Sequence, residues 1–219
     1  MNYQTLCDVL LKETGVSDQG VFSVKDQKGM ELLAVNWVRR AWVEIQGLRD
    51  WRFLWCSDSF NTVLGQIEYH PEENLALTPA LKSWVTHKNK VRLVSDGESS
   101  YLNYVKWESW GLVGGTSQNP QSYTIKPNNT LVLNTAPNKP YEVFFEYYRK
   151  PQMLTENTDI PIVSEEHHEI ILYKAMTYLA AEQDAPEVYQ DARQNVNARL
   201  NMMESKDIPE ITFGSGHIA

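Results

Sequence analysis

Two cysteines, Cys7 and Cys56, and five histidines, His70, His87, His167, His168 and His217, are the residues best suited to nucleophilic or metal chemistry. Their spacing argues against both. There is no CxxC and no Cys/His pairing at metal-ligand distance in sequence. His167 and His168 are adjacent, so on a helix they point about 100° apart and cannot both face one ion; the pair predicts an exposed helix start. His87 lies beside Lys88 and Lys90 and reads as a solvated basic loop. Cys56, next to Trp55, becomes reactive only with a base nearby. No GxSxG, Walker A, GxGxxG or HExxH string occurs. Gly214-Ser215-Gly216-His217 has the look of a catalytic fragment but sits in a terminal stretch that reads as linker. Asn128-Asn129-Thr130 fits a glycosylation sequon inside a hairpin turn. The carboxylates cluster on helical segments without a facing pair. The expectation is a protein that is not an enzyme, with no cofactor and no metal.

Charge carries more information. The net charge is −8, from 20 basic and 28 acidic residues, so the overall field does not attract nucleic acid. One region departs from that average. From Asn74 to Ser95 there is no Asp or Glu, while Lys82, Lys88, Lys90 and Arg92 are all present, with Trp84 among them. Residues 164–207 carry nine acidic and four basic side chains. Contact between unlike patches on neighbouring copies accounts for both. A solvated loop, or a nucleic-acid contact through cations with an interleaved aromatic, are the other readings of 74–95. Seven tryptophans are many for this length; most are expected in the core, with one or two left as interface anchors.

The elements that must position these residues follow an α–β–α order. Leu6, Val9 and Leu10 form a helical stripe over Tyr3 to Thr14, with Gly15 as the stop. Asp26 is the expected cap of a longer helix whose stripe is Met30, Leu33, Trp37, Ala41, Ile45 and Leu48, widened by Val38 and Trp42. After Trp51-Arg52-Phe53-Leu54-Trp55 the 3.6 period is lost. Short strands are predicted at Val91–Val94, Tyr101–Val105, Ser122–Ile125, Thr130–Leu133 and Tyr141–Tyr148, and one helical turn at Lys106–Gly111. The 122–133 segment reads as a hairpin. Helical period returns after Ser164, an expected cap, with Ile171, Ala175 and Leu179, then Val188, Ala192, Val196, Leu200 and Met203. Asp184-Ala185-Pro186 divides it into two helices or one kinked helix.

The fold class expected is α+β: a helical bundle from the N- and C-terminal helices with an inserted, mostly antiparallel β part. The boundaries are 1–52 and 151–204 for the bundle, 53–150 for the insertion and 205–219 for an extended tail. With 42% apolar residues and 219 residues in all, the chain can bury a substantial core and is not a disordered or low-complexity sequence. Cysteine usage fits a reducing cytosol. No basic-then-apolar leader and no stretch of 18 apolar residues occur, so neither a signal peptide nor a membrane span is expected. The tail places Ile208, Ile211 and Phe213 among Pro209, Gly214 and Gly216, which suits a docking arm that orders on a partner. Folding back on its own helices is the alternative.

Three strings resemble the head-to-tail adaptor, or connector, proteins of tailed bacteriophages. One is the long helix running into Arg49-Asp50-Trp51-Arg52-Phe53-Leu54, then a polar strand and Gly65-Gln66-Ile67-Glu68-Tyr69. Another is the strand ending Tyr147-Tyr148-Arg149-Lys150-Pro151. The third is Asp159-Ile160-Pro161-Ile162-Val163 leading into Glu166-His167-His168 and Ile170 to Ala175. The family pattern usually continues with Leu-Pro-x-Asp after Tyr69; here it is His70-Pro71-Glu72-Glu73. The resemblance implies a structural virion protein at the capsid–tail junction, passing through the host cytoplasm during assembly. It implies a ring, commonly of twelve copies, whose partners are the portal protein, tail or nozzle proteins and itself. Double-stranded DNA would pass through the lumen without specific binding, and no membrane is involved. Lys82, Lys88, Lys90 and Arg92 are then candidates for an intersubunit or DNA contact, and Ile208, Ile211 and Phe213 for docking. A nucleic-acid-binding module using 74–95 is the alternative function.

Overall fold

The computed structural model describes residues 1–16, 20–86, 91–112 and 119–207. The chain divides into two compact units, one formed by Met1–Phe53 with Pro151–Ala219 and the other by Leu54–Lys150. It is an α+β protein with four α-helices and two sheets in which every ladder but one is antiparallel.

In the helical unit, α1 (Tyr3–Glu13) starts where the Asn2 side chain accepts a hydrogen bond from the Thr5 amide at 2.8 Å. It ends in a Schellman motif. Gly15 has φ +66°, its amide donates to Lys12 O, and the Val16 amide donates to Leu11 O. Tyr3, Leu6, Cys7, Leu10 and Leu11 are buried, so the stripe is turned slightly from the one expected through Val9. The second helix, α2 (Gly29–Gly47), is not capped by Asp26 as expected. Lys28 holds the N-cap position without a side-chain bond, and Asp26 sits at φ +58° ahead of it. Its buried face is Ala34, Val35, Val38, Ala41, Trp42, Ile45 and Gln46. Met30, Leu33 and Trp37 are only half-buried and Leu48 is exposed. The buried face runs through the small residues Ala34 and Ala41, and α2 packs on a neighbouring helix.

That neighbour is α3 (Glu169–Glu182), which packs on α1, α2 and α4 (Pro186–Asp207). Its burial is nearly all-round: Ile170, Ile171, Leu172, Ala175, Leu179 and Ala180. Asp184, at φ +52°, breaks the chain into two separate helices, and Pro186 opens α4 at a position where its missing amide hydrogen costs nothing. Ser164 makes no side-chain cap; it precedes a 3-10 turn, Glu165–His167. That turn corrects the exposed reading of the histidine pair. His167 and His168 are 7% and 2% exposed, and His168 Nε2 lies 3.2 Å from Val163 O. Burial lowers the basicity of His168.

The chain leaves this unit after α2 and returns at Pro151, and a pair of glutamines, Gln46 buried and Gln152 half-buried, joins exit to return. Gln46 Oε1 accepts from the Gln152 amide at 2.7 Å, and Gln46 Nε2 donates to Gln152 O at 3.0 Å and Trp42 O at 3.2 Å. The Gln152 side chain accepts from Trp42 Nε1 (3.1 Å) and the Ile162 amide (3.0 Å) and donates to Ile160 O (2.9 Å). Phe53 stacks on both Trp42 and Trp51, and Trp51 Nε1 donates to Ile45 O at 2.8 Å. Between α2 and α3, Glu44 accepts from Tyr178 OH (2.6 Å), Arg40 Nε (2.8 Å) and Lys174 Nζ (3.1 Å).

The second unit is built on one long strand. Its strands are β1 (Trp55–Asn61), β2 (Glu68–Tyr69), β3 (Leu81–Trp84), β4 (Arg92–Ser95), β5 (Glu98–Tyr101), β6 (Asn103–Tyr104), β7 (Ser122–Ile125), β8 (Leu131–Leu133) and β9 (Glu142–Arg149). β1 pairs with β9 along its length, from Trp55↔Tyr148 to Asn61↔Glu142. The other edge of β9 is shared by β3 and β4, and β5 extends the sheet beyond β4. A second sheet runs β2-β8-β7-β6, with β6 and β7 parallel. Val143, Phe145 and Tyr147 of β9 form one core with Tyr69, Tyr123, Leu131 and Leu133 from the second sheet. The hairpin of β7 and β8 has the expected register, Tyr123↔Leu133, and Asn129 takes the left-handed turn position at φ +66°. β1 stands where a polar strand was expected between Leu54 and Gly65, β2 and β3 were not among the strands expected, and the 101–105 strand is two separate pieces. Trp42, Trp51 and Trp84 are buried, but Trp37, Trp55 and Trp110 are half-buried and Trp107 is exposed, so most of the tryptophans are not in the core.

Two stability predictions follow from the helical unit. Gln46→Leu leaves the Gln152 amide and carbonyl without partners, at about 1–3 kcal/mol each, and is expected to destabilise the protein by about 2–4 kcal/mol in urea unfolding. A loss below about 1 kcal/mol would show that the pair does not carry the junction. Glu44 is affected first by burial, which raises its pKa, but the bonds from Tyr178, Arg40 and Lys174 outweigh it and hold the carboxyl at about 2. Its folded pKa is thus below the ordinary 4.5, so its contribution is complete above pH 4.5 and lost as pH falls toward 2. Glu44→Gln should cost about 1 kcal/mol at pH 7, allowing for solvent screening of a partly exposed carboxylate, and nothing near pH 2. An undiminished difference at the acid end would refute the assignment.

Candidate interaction surfaces

The groups able to do chemistry are dispersed. Among the described residues no three of His, Cys, Asp and Glu are placed to hold a metal ion. Cys7 is buried in α1, and burial pushes its thiol up to about 12. Cys56 lies on β1 with Sγ 3.8 Å from Leu54 O, and burial raises its pKa too, the opposite of what a thiolate nucleophile needs. His70 lines a cavity of the β unit, and His87 and His217 lie outside the described residues. Among the described residues no helix is long and apolar enough to cross a membrane.

The cations of the basic stretch do not converge. Lys82 sits at a β-bulge, where the pairing of β3 with β9 shifts between Leu81 and Ser83. Arg92 pairs with Phe144 in the ladder and lays its guanidinium over that ring, 4.8 Å from the centroid. The partners of β3 and β4 on β9 are four residues apart, roughly 13 Å along a strand. Lys88 and Lys90 lie outside the described residues, as do Ile208, Ile211 and Phe213.

Lys82 instead contributes to a cavity of about 450 Å³ within the β unit. Pro71, Leu77 and Leu81 supply apolar wall, Lys82 and Lys150 the cations, and His70 Nδ1 is buried there without a hydrogen-bond partner. The cavity is assembled from the 70–82 segment, the β7–β8 turn and the end of β9, so no local pattern announces it.

A second surface feature is an apolar loop held rigid. Between β1 and β2, Val63, Leu64 and Ile67 are exposed, Leu64 by 66%. The backbone beneath them is fully braced. Gln66 N donates to Val63 O, closing a turn in which Gly65 has φ +78°. Tyr69 OH accepts from the Val63 amide (3.1 Å) and donates to Gln66 O (2.9 Å). The Thr62 amide donates to Tyr141 O, and the Tyr141 amide donates back to Thr62 Oγ1. Large apolar side chains on a fixed turn lose little entropy when a partner covers them. Sequence reasoning missed this loop, although Gly65 between apolar residues and the tyrosine four positions later were visible signals.

The described residues present a cavity and an exposed apolar loop as candidate contact surfaces. No curated protein matches the chain. The sequence does match the family model described as SU10 adaptor protein, over residues 1–212. That match runs through the helical unit and the β unit alike, and the chain belongs to the SU10 adaptor protein family, a family of phage head-to-tail adaptors.

Proposed function

We propose that this protein is a structural component of a tailed-phage particle that forms a ring between the portal and the tail and lets DNA pass through its lumen. Family membership over nearly the whole chain is the observation that carries this reading. The helices of 1–52 and 151–204 would act as one bundle, side by side with those of neighbouring copies. The 53–150 insertion would present contacts to portal or tail, and the braced Val63-Leu64-Ile67 loop supports that role because its apolar side chains have no covering of their own. The tail at 205–219 would dock on the portal or an adjacent subunit through Ile208, Ile211 and Phe213. A nucleic-acid-binding role for 74–95 has less support, since Arg92 is engaged with Phe144 and lies far from Lys82 along β9.

Cryo-electron microscopy of the particle is expected to find the protein as a closed ring at the capsid–tail junction. Its absence from particles would end this reading. Val63→Ser combined with Leu64→Ser should change the stability of the isolated protein by no more than about 0.5 kcal/mol each, because exposed side chains are removed, yet abolish incorporation. If the double variant instead melts early, the loop serves the fold. Deleting 207–219 separates a docking arm, lost from particles but stable alone, from a tail that belongs to its own core.

A further inference from the structure

Among the described residues, three strands of the five-stranded sheet pair on one side only: β3, β1 and β5. An open edge is a row of unpaired backbone donors and acceptors, and folded chains blunt it with a lysine, a proline or a bulge. β3 is blunted in this way, by Lys82 and by the register shift between Leu81 and Ser83. β1 and β5 have none of the three. β1 holds its register with β9 over seven residues, and Asp58 is its one charged side chain. The four side chains of β5, Glu98 to Tyr101, are all exposed, Tyr101 by 61%, so this strand adds nothing to the core of its own chain.

The two open edges fit each other in bonding phase, face and direction. The Thr62 amide donates to Tyr141 O, so by the alternation of an antiparallel ladder Phe60, Asp58 and Cys56 bond β9, and the backbone of Ser57 and Ser59 points away from it. The Leu102 amide donates to Val91 O, so Ser100 and Glu98 bond β4, and the backbone of Ser99 and Tyr101 points away. Ser59 lies opposite Phe144, Phe144 opposite Arg92, and Arg92 opposite Tyr101, so the outward-bonding residues of both edges share one face of the sheet. Strand direction alternates through β1, β9, β4 and β5. A second copy set beside the first in the same orientation therefore brings its β1 antiparallel to β5.

We infer that β5 of one copy pairs antiparallel with β1 of the next, so that the sheet continues from subunit to subunit. Each copy uses two different edges, and a heterologous contact of this kind closes into a ring where the rotation between copies allows it. Charge and strand length select the register. Tyr101 opposite Trp55 would set Glu98 against Asp58, two carboxylates across a ladder. Tyr101 opposite Ser59 would carry Glu98 past Asn61, the end of β1. Between them, Tyr101 lies opposite Ser57, Ser99 opposite Ser59 and Ser100 opposite Asp58. The Ser59 amide, which within one chain donates to Asp58 Oδ1 at 2.8 Å, then donates to Ser99 O of the next copy, and the freed carboxylate accepts from the Ser100 hydroxyl. The inference rests on the ring reading above and names the edges that join its subunits.

Cross-linking tests both the contact and its register. Asp58→Cys with Ser100→Cys in one chain sets two thiols across the junction with Cα atoms roughly 4.5 Å apart, within disulfide reach. Inside one chain β9 and β4 hold the same positions roughly 14 Å apart, so they cannot join there. Mild oxidation of particles should give covalent multimers up to the full ring, and Asp58→Cys with Glu98→Cys about tenfold less. Ser59→Pro and Ser99→Pro each remove an outward amide hydrogen that no ladder bond of the same chain uses, which an edge strand tolerates. Each should keep the thermal midpoint of the isolated protein within about 2 °C of wild type and lower incorporation into particles by about tenfold or more. Particles that hold a ring yet yield no multimers from the 58/100 pair, or equal yields from the two cysteine pairs, overturn the inference and leave the ring reading standing. Incorporation of both proline variants at the wild-type level does the same. If a proline variant melts early, the cross-links alone decide. Particles without a ring overturn both readings.

Discussion

The amide pair of buried Gln46 and half-buried Gln152 is the constraint on which the helical unit depends. A chain that leaves a packed unit for almost a hundred residues must re-enter it in one register, and loop closure over that length carries an entropic cost. The two glutamines meet that cost with reciprocal bonds. Each side chain engages backbone next to the other's segment, and Trp42 Nε1 ties the pair to the aromatic stack of Trp42, Phe53 and Trp51. Amides suit this place better than charged groups, since each offers both donor and acceptor, and here both glutamine oxygens and both glutamine nitrogens are bonded. An apolar pair of similar size would fill the space but would not specify which residue returns opposite which.

The same economy of one central element recurs in each unit. α3 is buried almost all round because it touches the other three helices, and Glu44 gathers three donors where α2 meets it. In the β unit, β9 is paired on both edges and contributes Val143, Phe145 and Tyr147 to the shared core. Both central elements belong to the strings that resemble the adaptor family, β9 with its Tyr-Tyr-Arg-Lys-Pro ending and α3 with the residues leading into it. The family signature is therefore a packing signature.

Polar groups inside the helical unit find structural partners, at buried Gln46 and at half-buried Asp159, whose carboxylate accepts from the Thr155 and Glu156 amides. The outward-facing features include an apolar loop on a braced turn and a cavity lined by a His70 Nδ1 that has no hydrogen-bond partner among the described residues. Each costs the isolated chain something, and each would be repaid in an assembly.

Much of the local structure was legible in the sequence. Gly15 stops α1, Pro186 opens α4, and the 122–133 hairpin has the expected strands and turn, because these depend on residues within a few positions of one another. The α–β–α order followed from the change of hydrophobic period. Other features required the fold. The buried face of α2 is set by its packing on both α1 and α3, which periodicity alone does not determine. His167 and His168 are buried because a 3-10 turn replaces the expected helix start, and nothing in the pair itself signals it. Lys82 reads as one of several cations in a loop, yet a register shift against β9 puts it in the cavity wall while Arg92 is drawn onto Phe144. Residue types and their local periods fixed the elements; which side chains meet across them was decided by long-range pairing, because that depends on partners far away in the chain.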